Sequence, residues 1–225
     1  MTKYAAALYS GGKDSTYALH LAFLQGYKIE CLIVILPPEG SELYHTPHAD
    51  LILLQAKALG LPIIKVYGDG MSVLRTALNV LKNSYSHVDY IITGALRSDF
   101  QRIRFNFIAS EYGLKVISPL WRKNQEYYLR EIVRHGIEFT LISISVKGLP
   151  PKYLGKALNE EDIEEIIRLS RIHGFNPAFE GGEAETLVLD APLFKKRLVL
   201  EDYKISREHE YVFKLIIKRI KVVEK

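Results

Sequence analysis

The sequence predicts an α/β protein, with a parallel, doubly wound sheet carrying helices on both faces and a smaller α+β lobe after it. Three observations predict this. Short apolar runs alternate with helix-spaced segments through the first half of the chain. The first of these runs breaks into Ser10-Gly11-Gly12-Lys13-Asp14-Ser15 just before the first helix. After Pro119-Leu120-Trp121 the pattern changes to alternating strands, which sets a first domain at 1–121 and a second at 122–225.

The elements follow in order. Tyr4 to Tyr9 is an apolar strand, and Asp14 to Gln25 carries Tyr17, Ala18, Leu21, Ala22 and Leu24 at helical spacing before Gly26. Ile29 to Leu36 is nearly continuous in apolar residues, as a strand covered on both faces should be. Pro37-Pro38-Glu39-Gly40 ends it. Thr46-Pro47 reads as a cap and first helical residue for a helix over 49–59, and a strand follows at 63–66. An amphipathic helix over 71–83, a buried strand over 90–93, a helix over 98–112 and a strand over 115–117 complete the first domain. The second opens with a helix over 126–134 and an alternating strand over 137–146. Asn159 then caps a helix that runs to His173. Strands are expected at 187–189, 197–200 and 210–223, and alternation along the last, Tyr211 to Val223, leaves a homodimer open through sheet extension across a two-fold axis.

Composition narrows the function classes. A chain of 225 residues with 48% hydrophobic content buries one good core or a core and a smaller lobe, so disorder is not indicated. The net charge of +4 reads as mild and spread along the chain, and no direct nucleic-acid partner is expected. The basic run Lys195-Lys196-Arg197 reads as a solvated turn between strands. The chain opens with Met1-Thr2-Lys3 and a short strand, which predicts neither a membrane span nor a secretory leader, and hence a cytoplasmic protein. Cys31, the single cysteine, lies in a strand-like run, excluding intramolecular disulfides, thiolate metal clusters and two-cysteine sulfur relays.

In open parallel sheets, ligands sit at the carboxyl ends of the strands. The Ser10–Ser15 loop, the stretch from Pro37 to His48, and the stretch from Gly94 to Arg104 all follow strands. Adjacent glycines between a strand and a helix bring N–H groups and the positive helix end close to a ligand, an arrangement suited to phosphate. The spacing fits neither the P-loop nor the dinucleotide fingerprint, since Lys13 follows Gly12 directly and a third glycine is missing. Arg102 and Arg104, near the start of a helix at the ligand end of the sheet, are placed to stabilise charge on a phosphate; the plainer alternative makes Ser98 or Asp99 a cap and leaves the arginines solvated. Glu180-Gly181-Gly182-Glu183-Ala184-Glu185-Thr186 is the second dense cluster. If Glu183 and Glu185 begin a strand they share a face, where like charges favour a bound cation; the alternative is a glycine turn with solvated carboxylates.

The Ser-Gly-Gly-Lys-Asp-Ser loop resembles that of the ATP pyrophosphatases, which cleave ATP between its α and β phosphates. Together with Tyr44-His45-Thr46-Pro47, Gly94, Ser98-Asp99-Phe100-Gln101-Arg102, Pro119-Leu120-Trp121, Gly148-Leu149, Leu154-Gly155-Lys156 and the run from Glu180 to Pro192, it resembles the diphthine–ammonia ligases in order as far as about Lys196. Phe100 stands where that family usually has tyrosine, and Ala184 where it usually has an aromatic residue. The resemblance implies an adenine nucleotide α-hydrolase-like fold and amidation of diphthine, a modified histidine on elongation factor 2, with ATP and ammonium.

It further implies that Ser10, Gly11, Gly12, Lys13, Asp14, Ser15 and Gly94 hold ATP, with Asp14 also a ligand of Mg²⁺. Asp14, Arg102, Arg104, Glu183 and Glu185 take the catalytic roles on this reading, the two glutamates holding either ammonium or the trimethylammonium of diphthine. His45, Ser98, Asp99, Gln101, Glu180, Gly181, Gly182 and Thr186 are the expected substrate contacts, in an open cleft between the two lobes. The lone cysteine favours free ammonium over a glutamine-derived donor. The competing readings are an ATP pyrophosphatase acting on tRNA, and a nucleotide-sensing module without chemistry.

Overall fold

The computed structural model describes residues 2–36 and 49–225; the side chains of Ala49 and Gln101 are not among those described. The expected cap at Thr46-Pro47 therefore lies outside the described residues. Two compact units divide the chain, Met1–Arg122 and Lys123–Lys225.

Unit 1 is built from β1 (Lys3–Leu8), α1 (Lys13–Leu24), β2 (Tyr27–Leu36), α2 (Ala49–Leu59), β3 (Ile63–Tyr67), α3 (Gly70–Ser84), β4 (Tyr90–Ile92), α4 (Asp99–Glu111) and β5 (Lys115–Ile117). All five strands are parallel, in the order β3-β2-β1-β4-β5. Ala7 of β1 pairs with Leu32 on one side and Ile92 on the other. The first two crossovers step outward from β1, and α3 then carries the chain back across to β4. That reversal makes the carboxyl end of β1 the switch point of the sheet, where such folds bind ligands.

Side-chain size explains the packing. Ala6, Cys31, Ile33 and Ile35 point to one face, against Leu74, Leu78 and Leu81 of α3 and Phe105 and Ile108 of α4. Ala5, Ala7, Leu32 and Val34 alternate with them, are also buried and face the other way, the side of α1 and α2. The three consecutive alanines of β1 leave room for helices on both faces. Burial in this core pushes the Cys31 thiol up to about 12, so it stays protonated at neutral pH.

Unit 2 contains α5 (Gln125–Arg134), β6 (Glu138–Ser145), a short 3-10 turn at Pro151–Tyr153, α6 (Glu160–His173), β7 (Ala184–Asp190), β8 (Lys196–His209) and β9 (Val212–Glu224). Its antiparallel sheet has the order β7-β6-β9-β8. The strand expected at 197–200 is far longer, because register shifts at Leu200/Asp202, Asp202/Tyr203 and Arg207/His209 break the alternation by which a strand is read. Lys196 and Arg197, expected in a solvated turn, begin β8 and pair with Glu224 and Glu138.

β9 lies between β6 and β8 in the sheet order, pairing with β8 along its length and with β6 only at Val212–Lys214. Among the described residues no helix is long and apolar enough to cross a membrane.

Candidate functional site

The glycine loop lies at the carboxyl end of β1, at the switch point. Its geometry is fixed from inside. Tyr9, buried at the end of the strand, shares a hydrogen bond of 3.1 Å with the Thr16 hydroxyl, and burial raises its phenol well above the ordinary range. The Ser15 hydroxyl accepts from the Ser10 N–H at 3.2 Å, lies 3.1 Å from the Ser10 hydroxyl and donates to the Gly12 carbonyl at 3.2 Å. With the Ser10 hydroxyl donating, that is the full capacity of one hydroxyl, so Ser15 works as the knot of the loop.

Gly12 is the N-cap of α1 and, as a glycine, makes no side-chain cap hydrogen bond. A helix leaves its first N–H groups without intrahelical partners, so this terminus favours an anion. Lys13 is almost wholly buried and its ammonium lies 3.0 Å from Asp14, whose carboxylate is partly exposed. Gly94, just past β4, touches α1 rather than open space. A Cβ there would lie 2.7 Å from the Ser15 nitrogen and 2.8 Å from the Asp14 carbonyl carbon. Only glycine lets β4 approach the loop this closely.

The structure adds a residue here that sequence reasoning missed. Gln55 of α2 is fully buried and its Nε2 donates to the Gly11 carbonyl at 2.9 Å. Its sequence signal is a polar residue set among the buried Leu51, Ile52 and Leu59, at helical spacing on the face that α2 turns inward.

At the start of α4, the Arg102 guanidinium lies 4.6 Å above the Trp121 ring, with its Nε 3.8 Å from Asp99. Arg104 stacks on Phe100 of its own helix. Arg122, also missed because it was read as the start of the second lobe, sits 5.7 Å from the Trp121 ring on a left-handed backbone (φ +59°), and its N–H bonds to the Leu96 carbonyl at 2.9 Å. Left-handed non-glycine residues carry strain and concentrate at functional sites. Ser98 precedes α4, its carbonyl accepting from the Arg102 N–H at 3.0 Å, and Gln101 lies within the helix. His45 lies outside the described residues.

In unit 2 the acidic cluster is arranged differently from the strand reading. Glu183 stands just before β7, and its carboxylate accepts from the Asn176 N–H at 3.0 Å and the Gly181 N–H at 2.8 Å. Its charge is therefore met in part by backbone donors of its own loop. The half-buried Glu185, opposite Ser143 in β7, makes no side-chain hydrogen bond or ion pair among the described residues. Thr186 is buried next to it, whereas Glu180, Gly181 and Gly182 line the exposed turn.

A parallel sheet reversed at β1, with a glycine loop and a helix start at the reversal, defines unit 1 as a doubly wound α/β domain. Residues 3–116 match the family model described as diphthamide synthase N-terminal domain, and residues 124–223 match the one described as diphthamide synthase C-terminal domain. The chain belongs to this family. Its relatives include the diphthine–ammonia ligase of Homo sapiens, 34% identical over 225 residues that cover 89% of this chain and 84% of the relative. The diphthine–ammonia ligase of Rattus norvegicus is 34% identical over 221 residues, covering 87% and 82%. A crystal structure described as a predicted subunit of tRNA methyltransferase from Methanocaldococcus jannaschii is 19% identical, with a TM-score of 0.41 over 96% of this chain and 98% of that one.

Proposed function

We propose that the chain amidates diphthine in diphthamide synthesis, joining ammonium to the carboxylate of a modified histidine on elongation factor 2 in the cytoplasm and converting ATP to AMP and pyrophosphate. The observation that carries this reading is the α1 N-terminus at the switch point, its loop tied inward by Ser15 and Gln55, in a chain of the diphthamide synthase family.

A carboxylate does not acylate ammonia at neutral pH, so it must first gain a leaving group. In the first step a diphthine carboxylate oxygen attacks the α-phosphorus of ATP, the bond to the bridging oxygen breaks, and pyrophosphate leaves with that oxygen. In the second, ammonia attacks the carbonyl carbon of the acyl-adenylate, AMP leaves, and a proton passes to a base. The Ser10–Ser15 loop holds the β and γ phosphates, and Lys13 contributes positive charge beside them. Arg102 meets the charge that develops on the α-phosphate, while Arg104 reaches it only by leaving the Phe100 ring. Glu185, whose carboxylate is uncommitted among the described residues, takes the proton or holds the ammonium; Glu183 shapes the turn around it.

Among the described residues no group of three or more His, Cys, Asp or Glu side chains is placed to cage a metal. That donor set fits a Mg²⁺ held mainly by nucleotide phosphates, with the partly exposed Asp14 as a protein ligand. Bound there, the ion would neutralise phosphate charge. The nitrogen donor is free ammonium, because the single cysteine, Cys31, is a buried and protonated thiol unsuited to serve as a glutaminase nucleophile.

The test is incubation with ATP, ammonium chloride and diphthine-bearing elongation factor 2, followed by mass analysis of the modified histidine. Amide formation with stoichiometric AMP and pyrophosphate is expected. Strict dependence on glutamine would refute the nitrogen source, and no amide with either donor would refute the activity.

A further inference from the structure

We infer that Gln55 is a positioning residue for the nucleotide, holding the loop carbonyls turned away from the phosphates. The inference rests on the reading of the Ser10–Ser15 loop as the ATP site. A loop that cradles phosphate must present N–H groups to it and keep carbonyl oxygens out, because a carbonyl carries partial negative charge on the side facing the anion. In this loop the carbonyls of Gly11 and Gly12 are restrained. That of Gly12 is taken by the Ser15 hydroxyl at 3.2 Å and the Thr16 N–H at 3.2 Å, both local. That of Gly11 is taken by Gln55, from a separate helix 44 residues along the chain.

The contact is close. The Gln55 side chain is fully buried, and its Oε1 lies 2.3 Å from the point where a Cβ on Gly11 would stand. Gly11 is therefore needed twice over, for its left-handed backbone (φ +79°) and for the space that Gln55 fills. With the amide donor removed, the Gly11 carbonyl is left without this buried partner and is released to rotate toward the bound phosphates. Gln55 touches no reacting atom, so its loss weakens nucleotide binding and leaves the chemical step alone.

The experiment compares Gln55→Leu, which keeps bulk and removes the donor, and Gln55→Glu, which offers the carbonyl an acceptor in place of a donor. Leu59→Ala, a buried truncation one turn further along the same helix, is the control for helix stability. Binding of α,β-methylene ATP is measured by calorimetry and amidation by kcat and ATP KM, with each fold checked by circular dichroism. Gln55→Leu should weaken analogue binding and raise ATP KM about tenfold, the size of one neutral hydrogen bond, with kcat within about twofold. Gln55→Glu should lose more, and Leu59→Ala should bind as the unsubstituted protein does.

Should Gln55→Leu fail to fold, the Gln55 side-chain amide resonance of the unsubstituted protein provides the second measurement: it should shift when the analogue is added, and an unmoved signal overturns the inference. Equal binding by Gln55→Leu, or equal weakening by Leu59→Ala, overturns it as well while leaving the ATP reading intact. No binding of the analogue by the unsubstituted protein overturns both.

Discussion

Glu183 and Glu185 are two residues apart and do different things. Glu183 spends both carboxylate oxygens on the N–H groups of Asn176 and Gly181, whereas the side chain of Glu185 has no such commitment among the described residues. Glu183→Ala should therefore cost about 1–3 kcal/mol of stability, because two loop N–H groups lose a charged acceptor, and amidation should fall with it. Glu185→Gln should leave stability within about 0.5 kcal/mol while lowering amidation kcat by a factor on the order of 100, as loss of a general base does. Urea midpoints alongside kcat separate the two, and an unchanged kcat in Glu185→Gln would remove that residue from the chemistry. A strand period assigns both side chains to one face, but it cannot foresee a turn that folds back on the first of them. Gln55 shows in the sequence as a polar residue on an apolar face, but its role was unreadable for a related reason, since its partner lies in a loop 44 residues earlier in the chain. The Ser10–Ser15 constellation, with both hydroxyls inside six residues, is a local feature that spacing alone exposes.

Elements were legible where their ends carry their own chemistry. α6 begins at a capping box: the Asn159 side chain accepts from the Asp162 N–H at 2.9 Å, and Asp162 accepts in return from the Asn159 N–H at 3.1 Å. Lys156 adds an ion pair of 2.6 Å to the same carboxylate. Asn159→Ala should lower the stability of the protein by about 1 kcal/mol, measured as a shift in urea midpoint at unchanged slope; a neutral substitution would mean that Lys156 and the first-turn acids suffice. β8 had no such signal. Its bulges shift the register three times, so neither face keeps a run of apolar residues long enough to count, although the ladder to β9 extends from Lys196 to His209.

At the scale of the molecule, alternation of strands and helices sufficed to predict the doubly wound sheet, because strands joined through helical crossovers run parallel in one sheet. Charge was less legible. Residues 195–225 hold ten lysines and arginines against five aspartates and glutamates, so the net surplus that reads as spread out sits on the β8–β9 hairpin. Ion pairs are spread over both units, and hydrogen bonds from cationic partners hold Glu30, Glu111, Glu126, Glu164, Glu165 and Glu201 below the usual carboxylate range. A lowered folded-state value contributes stability that is complete above the unfolded value of about 4.3 and is lost as pH falls through the folded one. The urea midpoint should thus hold steady from about pH 8 to pH 5 and drop below about pH 4, less steeply in high salt; a fall already between pH 7 and 5 would contradict this.

The strand order has a further consequence, for a chain emerging from the ribosome. Within unit 1, β1 and the glycine loop are synthesised before the other strands, yet β1 is central to the sheet and lacks one flank until β4 has followed, and the loop lacks its backing until Gln55 and Gly94 have been added. On the proposed reading of this loop as the ATP site, three-quarters of unit 1 must leave the tunnel before the nucleotide can be gripped, so ATP would have nothing to hold on the early nascent chain and would assist only the last stage of the unit's folding.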